Sequence, residues 1–246
     1  DMGSMFASAA SFNQPLTSTP GGWDTSKVTS AGGMFSSASA FNQDISSWDT
    51  GLINDMSYMF ESASSFDQNI GGWNVGSLTD ASEMFTNVTL SLENYNALLV
   101  GWVAQDVHGG VGFNGGNSQY SIGEPETARS NLVDTKTWSI TDGGLSSRPG
   151  APSALGVVAH NESVAVSWGA AQVSSSGGPV LSYTATALVG GVPVDPAKTC
   201  TTPDGSTLTC TVSGLTNGTE YTFVVVATND QGVGPASAPS AGVTPV

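Results

Sequence analysis

The chain has 246 residues, 39% of them hydrophobic, which is enough for two ordinary domains with a core each. Five Lys and Arg face 20 Asp and Glu, giving a formal net charge of −15. So acidic a chain repels nucleic-acid phosphates and anionic lipid headgroups, and no run of 18 apolar residues is present. We therefore expect no nucleic-acid partner and no direct membrane insertion in this fragment.

A repeat of 25 residues occupies the first 90 positions. The pair Met-Phe recurs at 34–35, 59–60 and 84–85, and the copies at 34–35 and 59–60 are followed by Phe-Asn-Gln or a close variant and then by Trp. The first copy, at 5–6, lies 29 residues before the second because four extra residues fall within 15–22, where we expect a loop. Since the chain begins inside a repeat, we interpret it as a piece of a longer protein.

Each repeat predicts one helical and one extended half. Apolar residues spaced by three and four over 56–63 favour a helix of about two turns, and Asp80 with Glu83 has the spacing of a capping box. Short segments such as 53–54 favour a strand. Stacked copies would align like residues into apolar ladders, as in a short α/β solenoid. The predicted repeat core is Met34, Phe35, Phe41, Trp48, Met59, Phe60, Phe66, Trp73, Met84 and Phe85.

The order Met-Phe, Phe-Asn-Gln, Trp-Asp-Thr, with Val-Thr or Ile-Asn leading to the next Met-Phe, resembles the BspA-like leucine-rich repeat family of bacterial surface proteins. The segment from Asn94-Tyr95 to Asp142-Gly143 is similar to the one that closes such arrays. The resemblance, over about residues 2–145, implies a leucine-rich-repeat-like solenoid at 1–90 and a C-terminal cap at 91–145.

The sequence changes character after residue 145. Pro and Gly at 146–152 predict a linker, and beyond it apolar residues alternate with a period of two, which favours an all-β sandwich. Trp168 and the segment 215–221 resemble the core tryptophan and tyrosine corner of fibronectin type III domains. This resemblance implies an immunoglobulin-like sandwich of that type at 153–246, with Trp168, Leu215 and Tyr221 in its core.

Cys200 and Cys210 are the only cysteines. A redox pair or a metal site is one interpretation, but the spacing is not that of a Cys-x-x-Cys motif. The interpretation that we favour is a disulfide between neighbouring strands, which would stabilise the sandwich by about 2 to 3 kcal/mol. Together with a surface rich in Ser, Thr, Gly and Asn, it predicts an extracellular protein, either secreted or anchored to the cell surface.

The titratable residues form no recognisable catalytic arrangement. His108 and His160 fall in different domains, and no nucleophile or phosphate-binding motif is present, so we predict no enzyme, no catalytic residue and no cofactor. Calcium is an alternative, because Asp residues such as Asp24, Asp49 and Asp55 recur with the repeat. The simpler interpretation is that these carboxylates close turns.

The repeated tryptophans also allow two interpretations. Trp23, Trp48 and Trp73 would form an aromatic strip for sugars if they are exposed, but their constant register with Met and Phe favours a place in the core.

The leading hypothesis is a bacterial adhesion or recognition module in which the solenoid contacts the ligand and the sandwich is a spacer. Its partners would be extracellular proteins or glycans of a host or neighbouring cell. Alternatives are an accessory carbohydrate-binding region of a secreted polysaccharide-degrading enzyme, and a self-associating structural component of the surface. The predicted contact residues are Asn42, Gln43, Asp67 and Gln68, unless these side chains instead tie adjacent coils together.

Overall fold

A computed structural model describes residues 1–17 and 23–246. The part of the predicted loop at 18–22 lies outside the described residues. The chain divides into two compact units, the first comprising residues 1–120 and 124–145 and the second residues 121–123 and 146–246. No helix in the described part of the chain has the length and apolarity needed to cross a membrane.

The first unit is a stack of coils with parallel pairing. Three short strands form one parallel sheet in chain order, and each coil before them adds an isolated parallel bridge, Ser30 to Asp55 and Asp55 to Asp80. Two helices follow the last full repeat. The elements are β1 (Asp80–Ala81), α1 (Leu92–Val103), β2 (Gly112–Asn114), α2 (Glu124–Asp134) and β3 (Ser139–Thr141).

The helix predicted at 56–63 is wrong. The segment is a run of turns in which alternate residues bond in two directions. The Phe60 N–H donates to the carbonyl of Met84 in the next coil, at 2.9 Å, whereas the Met59 N–H donates to the Met56 carbonyl three residues back, at 3.2 Å. Half of the backbone N–H groups thus donate to the neighbouring coil. In a helix they would instead donate to carbonyls of the same segment.

Left-handed residues explain why no helix forms. Tyr58 and Ser62 have φ of 57° and 56°, and such residues, four apart, interrupt a right-handed helix. The predicted capping box is wrong for the same reason: Glu83 has φ of 55°, and the Asp80 carboxylate accepts from the Ser82 N–H at 2.8 Å. Equivalent left-handed residues in the other coils are Ser4, Ser8, Gly33, Ser37 and Asn87.

Apolar side chains point into the stack and pile up coil on coil. The rings of Phe35 and Phe60 are parallel, with centroids 5.6 Å apart, and Phe85 follows at 5.4 Å from Phe60. All ten side chains of the predicted repeat core are buried. The column of identical residues is therefore the core of the first unit.

The second unit is a β-sandwich of two antiparallel sheets. One sheet has the order β4-β5-β9, and the other has the order β11-β10-β6-β7, with β8 also paired to β6. The strands are β4 (Ser153–His160), β5 (Ser163–Gly169), β6 (Ser182–Val189), β7 (Val192–Pro193), β8 (Thr199–Thr201), β9 (Thr209–Ser213), β10 (Thr222–Asn229) and β11 (Gly232–Val233).

Trp168, Leu215 and Tyr221 are buried between the sheets. The Tyr221 hydroxyl accepts a bond from the Thr216 N–H at 3.1 Å, which is the contact expected of a tyrosine corner. Residues 146–152, predicted as a linker, lie in the second unit, where the Ser146 carbonyl accepts a bond from the Ser174 hydroxyl.

The predicted disulfide between Cys200 and Cys210 is confirmed. Cys200 lies on β8 in the five-stranded sheet, and Cys210 lies on β9 in the three-stranded sheet. The bond therefore fastens the two sheets together along one edge of the sandwich.

Candidate recognition surface

The predicted contact residues tie adjacent coils together. The N–H of Asn42 and the Nε2 of Gln43 both donate to Asn13 Oδ1, at 2.9 Å. One coil later, the N–H of Asp67 and the Nε2 of Gln68 donate to Asn42 Oδ1, at 2.9 and 2.7 Å. We call Asn13, Asn42 and Asp67 the Asn–Asp ladder. Because their oxygens are used between coils, these residues stabilise the stack and are weak candidates for ligand contact.

The Asn–Asp ladder continues into the helical segment that follows the repeats. Asp67 Oδ1 accepts bonds from the Ser91 N–H and from Asn94 Nδ2, each at 2.8 Å. Asn94 lies in α1 and takes the place that Gln68 holds one coil earlier. The last full coil is thus covered by a helix that repeats its bonding pattern.

The tryptophans form a second ladder inside the stack. The indole N–H of Trp48 donates to the Leu16 carbonyl at 2.8 Å, and that of Trp73 donates to the Ile45 carbonyl at 3.0 Å. Trp102 of α1 repeats the pattern. Since Trp48, Trp73 and Trp102 are buried, they do not form an exposed strip for sugars.

The recurring aspartates close turns. The carboxylates of Asp24, Asp49 and Asp55 each accept a bond from the backbone N–H two residues ahead, which is the geometry of an Asx turn. Within residues 1–17 and 23–246, no group of three or more His, Cys, Asp or Glu side chains is placed to hold a metal ion. The recurring aspartates therefore form no such group among the described residues.

Titratable groups gather in the cap, where they bond one another. Arg129 pairs with Asp142 at 2.7 Å and lies over the ring of Tyr120, and the Tyr95 hydroxyl donates to Asp142 at 2.8 Å. Burial, and then the neighbouring Asp142 charge, raise the pKa of Tyr95 far above its usual range. The cluster holds α1, α2 and β3 together, because each polar group in it has a partner.

The first three coils form a shallow groove of about 600 Å³ on their outer surface. Tyr58 is its largest side chain and is 46% exposed. We call this feature the Tyr58 groove. Its lining includes the glycines Gly3, Gly32 and Gly33 and the larger side chains of Asp55, Tyr58 and Glu61.

The groove arises where the outward positions of the repeat differ between coils. Tyr58 follows Gly33 by 25 residues, and Glu61 follows Ser36 by the same step, so small residues in one coil face large ones in the next. Tyr58 and Glu61 occupy positions that do not recur, so the repeat pattern by itself does not indicate them. In an alignment of the coils, both stand at outward positions that change.

Hydrogen bonds fix the carboxylates of the Tyr58 groove. Ser30 Oγ donates to Asp55 Oδ2 at 2.9 Å, and Ser36 Oγ donates to Glu61 Oε2 at 3.1 Å. Burial raises the pKa of Asp55, but the bonds from the Ser57 hydroxyl and N–H and from Ser30 outweigh burial and lower the pKa below the usual value of an aspartate. Asp55 is therefore ionised at neutral pH.

Three solved structures resemble part of the chain. One, described as "Myokine structure", is 27% identical over 40% of this chain and 99% of its own, with a TM-score of 0.32. The FN5 domain of Drosophila Lar is 26% identical over 39% of this chain and 96% of its own, with a TM-score of 0.31. The chicken CNTN1 FN1-FN3 domains are 23% identical over 40% of this chain and 33% of their own, with a TM-score of 0.33.

No curated protein matches the chain. Residues 1–104 match the family model described as "Mycoplasma protein of unknown function, DUF285". Residues 150–243 match the family model of the fibronectin type III domain. Together with the two antiparallel sheets and the tyrosine corner, this match shows that residues 150–243 form a fibronectin type III domain.

Proposed function

We propose that this chain is an extracellular adhesion or recognition module of a bacterial surface protein of BspA-like type. The observation that carries the proposal is the contrast between the two sides of the coils. Inward positions repeat as buried ladders, whereas outward positions change from coil to coil and create the Tyr58 groove. A rigid stack with a variable outer surface suits recognition, because surface residues can change without disturbing the core.

The sandwich acts as a spacer in this proposal. The disulfide fastens its two sheets, and two buried serines, Ser237 and Ser240, bond the backbone of β10 at 3.0 and 2.9 Å. In this role the domain is a rigid spacer and needs no binding site of its own. The disulfide also supports an extracellular location, since such bonds persist in oxidising compartments.

Catalysis has no part in the proposed function. Tyr95 and Arg129 both bond Asp142, and the groove carboxylates accept bonds from serine hydroxyls. Recognition through surface shape and hydrogen bonding needs neither a nucleophile nor a proton donor.

A binding screen with hydrogen–deuterium exchange tests the proposal. The whole chain is exposed to immobilised matrix proteins and glycans, with calcium and with a chelator, and exchange is then measured with each ligand that binds saturably. We expect protection of amides within residues 1–145. Protection confined to the sandwich would contradict the assignment of the contact surface, and an absence of saturable binding would contradict recognition itself.

A further inference from the structure

The backbone of Tyr58 is costly for a side chain of its size. Its φ of 57° is in the left-handed region, which bulky residues rarely occupy. The equivalent residue one coil earlier is Gly33, with φ of 62°, and glycine adopts this conformation without steric cost. A glycine would thus hold the same turn with less strain. Glu83 has φ of 55° at the same position one coil later, so the position accepts a side chain, and Tyr58 differs in placing a half-exposed aromatic ring at the groove.

Glycines keep part of the groove free of side chains. A Cβ atom added at Gly32 would lie 3.0 Å from Asp55 Oδ2, and one added at Gly33 would lie 3.3 Å from Ser4 Oγ. Any larger residue at Gly32 or Gly33 would therefore place a side chain in the groove. The groove has a volume of about 600 Å³ and is open to solvent, so a ligand would lie along its surface.

The chemistry of the lining selects the ligand. Asp55 and Glu61 supply acceptors, serine hydroxyls such as that of Ser4 both donate and accept, and Tyr58 supplies an apolar ring face. None of the described residues lining the groove is Lys, Arg or His. Phosphate, sulfate and uronate ligands are therefore repelled, and the net charge of −15 adds to that repulsion.

We propose that the Tyr58 groove binds a neutral saccharide, an inference that rests on the proposed recognition function. The apolar C–H face of a sugar ring would lie on Tyr58, and its hydroxyls would donate to Asp55 and Glu61 and exchange bonds with the serines. Aromatic rings that carry a polar tip suit such a ligand, which is apolar on one face and wet at its edges.

A cationic peptide is the competing ligand, and the hydrogen bonds favour the saccharide. Asp55 Oδ1 already accepts the Ser57 N–H and the Ser57 hydroxyl, at 3.0 and 2.7 Å, and Asp55 Oδ2 accepts the Ser30 hydroxyl at 2.9 Å. Bidentate pairing of a guanidinium with Asp55 would displace a Ser57 bond, because each carboxylate oxygen has only two lone pairs. A sugar hydroxyl needs only one remaining lone pair.

The test compares the full chain with Tyr58→Gly and with Leu52→Ala. The control Leu52 is 54% exposed on the same unit and is not part of the groove. The probes are arrayed neutral oligosaccharides of hexoses and N-acetylhexosamines, sulfated and uronate oligosaccharides, and hexa-arginine, followed by calorimetric titration. Tyr58→Gly should weaken binding of the neutral saccharide at least about tenfold, as removal of a buried aromatic contact does, whereas Leu52→Ala should leave it unchanged.

Thermal unfolding separates a loss of contact from a loss of folding. Tyr58→Gly copies the residue of the preceding coil, so its unfolding midpoint should stay within a few degrees of the original. A neutral saccharide bound equally by Tyr58→Gly would overturn the groove assignment, and binding of hexa-arginine alone would overturn the ligand class. Both results would leave the recognition function standing, whereas a chain that binds nothing in this array or in the wider screen would refute both proposals.

Discussion

Single side chains complete the hydrogen bonding that the coil backbone leaves open. Asn42 Oδ1 accepts two bonds from the next coil, from the Asp67 N–H and from Gln68 Nε2. Both donors are part-buried, so loss of the acceptor leaves them short of a partner, and an unsatisfied group costs more than a satisfied one contributes. Asp67 performs the same task one coil later with a carboxylate.

Asn42→Ala should therefore lower the free energy of unfolding by about 1 to 3 kcal/mol, because two donors lose their acceptor. Asn42→Asp should lower it less, since it reproduces the carboxylate found at Asp67. Urea denaturation measures both, with Ala at the exposed Asn54 as a control. Equal losses for Asn42→Ala and Asn42→Asp would show that the acceptor oxygen does not matter.

The acid sensitivity of Asp55 follows from its hydrogen bonds. Burial raises its pKa, but the bonds from Ser57 and Ser30 lower the pKa overall below the usual value of an aspartate. A carboxyl whose pKa is lowered on folding contributes stability above its ordinary pKa, and this contribution is lost as pH falls through the folded pKa. A nuclear magnetic resonance titration should find the Asp55 pKa below the usual value of an aspartate, and Ser57→Ala should move it upward. An unchanged pKa in that variant would contradict the assigned cause.

At the scale of elements, α1 acts as a lid that continues the repeat. Trp102 and Asn94 repeat the bonds of the tryptophan and Asn–Asp ladders. The helix backbone contacts the third coil at two glycines, Gly71 and Gly101. A Cβ added at Gly71 would lie 2.3 Å from the Ala97 carbonyl oxygen, and one added at Gly101 would lie 2.1 Å from that of Gly71. The backbone of the helix thus packs directly against the backbone of the coil, and no side chain at this contact can move aside.

Gly71→Ala should destabilise the first unit by about 2 to 3 kcal/mol, because backbone must move to admit a methyl group. The adjacent Gly72 is the matched control, since a Cβ there meets nothing within 4 Å. Gly72→Ala should be neutral or stabilising by ~0.5 kcal/mol through the unfolded chain. Chemical denaturation compares the two, and similar midpoints would show that α1 does not lie against the coil at Gly71.

At the scale of the whole molecule, the chain contains two separate cores held by different means. The first unit relies on stacked aromatic rings and side-chain ladders, and the second has the fibronectin type III sandwich and the disulfide between its sheets. The closed loop spans ten positions, from Cys200 to Cys210. Only the second unit is cross-linked, so only its stability depends on redox conditions.

Calorimetry should accordingly resolve two transitions, of which reduction shifts one. Breaking the disulfide, by dithiothreitol or by Cys200→Ala with Cys210→Ala, should lower the stability of the sandwich by about 2 to 3 kcal/mol. The transition of the first unit should not move. Near-ultraviolet signals of its buried Trp48 and Trp73 would report that unit, and a shift of both transitions would contradict their independence.

The sequence by itself determined the repeat period, the presence of a fibronectin type III domain and the disulfide. Like residues recur at fixed steps, strand residues alternate, and two cysteines have one possible intrachain pair, so these features can be recognised without knowing distant neighbours. Only the tertiary structure decided the conformation of the repeat. The spacing over 56–63 suits a helix locally, but bonds such as that from Phe60 to Met84 replace helical ones with bonds to the next coil.

The Tyr58 groove likewise belongs to the tertiary structure. Its glycines and its large side chains come from different coils, so residues that are distant in the sequence line one groove only once the coils are stacked. The ladders followed from what recurs in the repeat, because identical positions must contact one another in a stack. The groove depends on outward residues that differ from coil to coil. Its shape therefore exists only in the stacked structure, where side chains of different size lie next to each other.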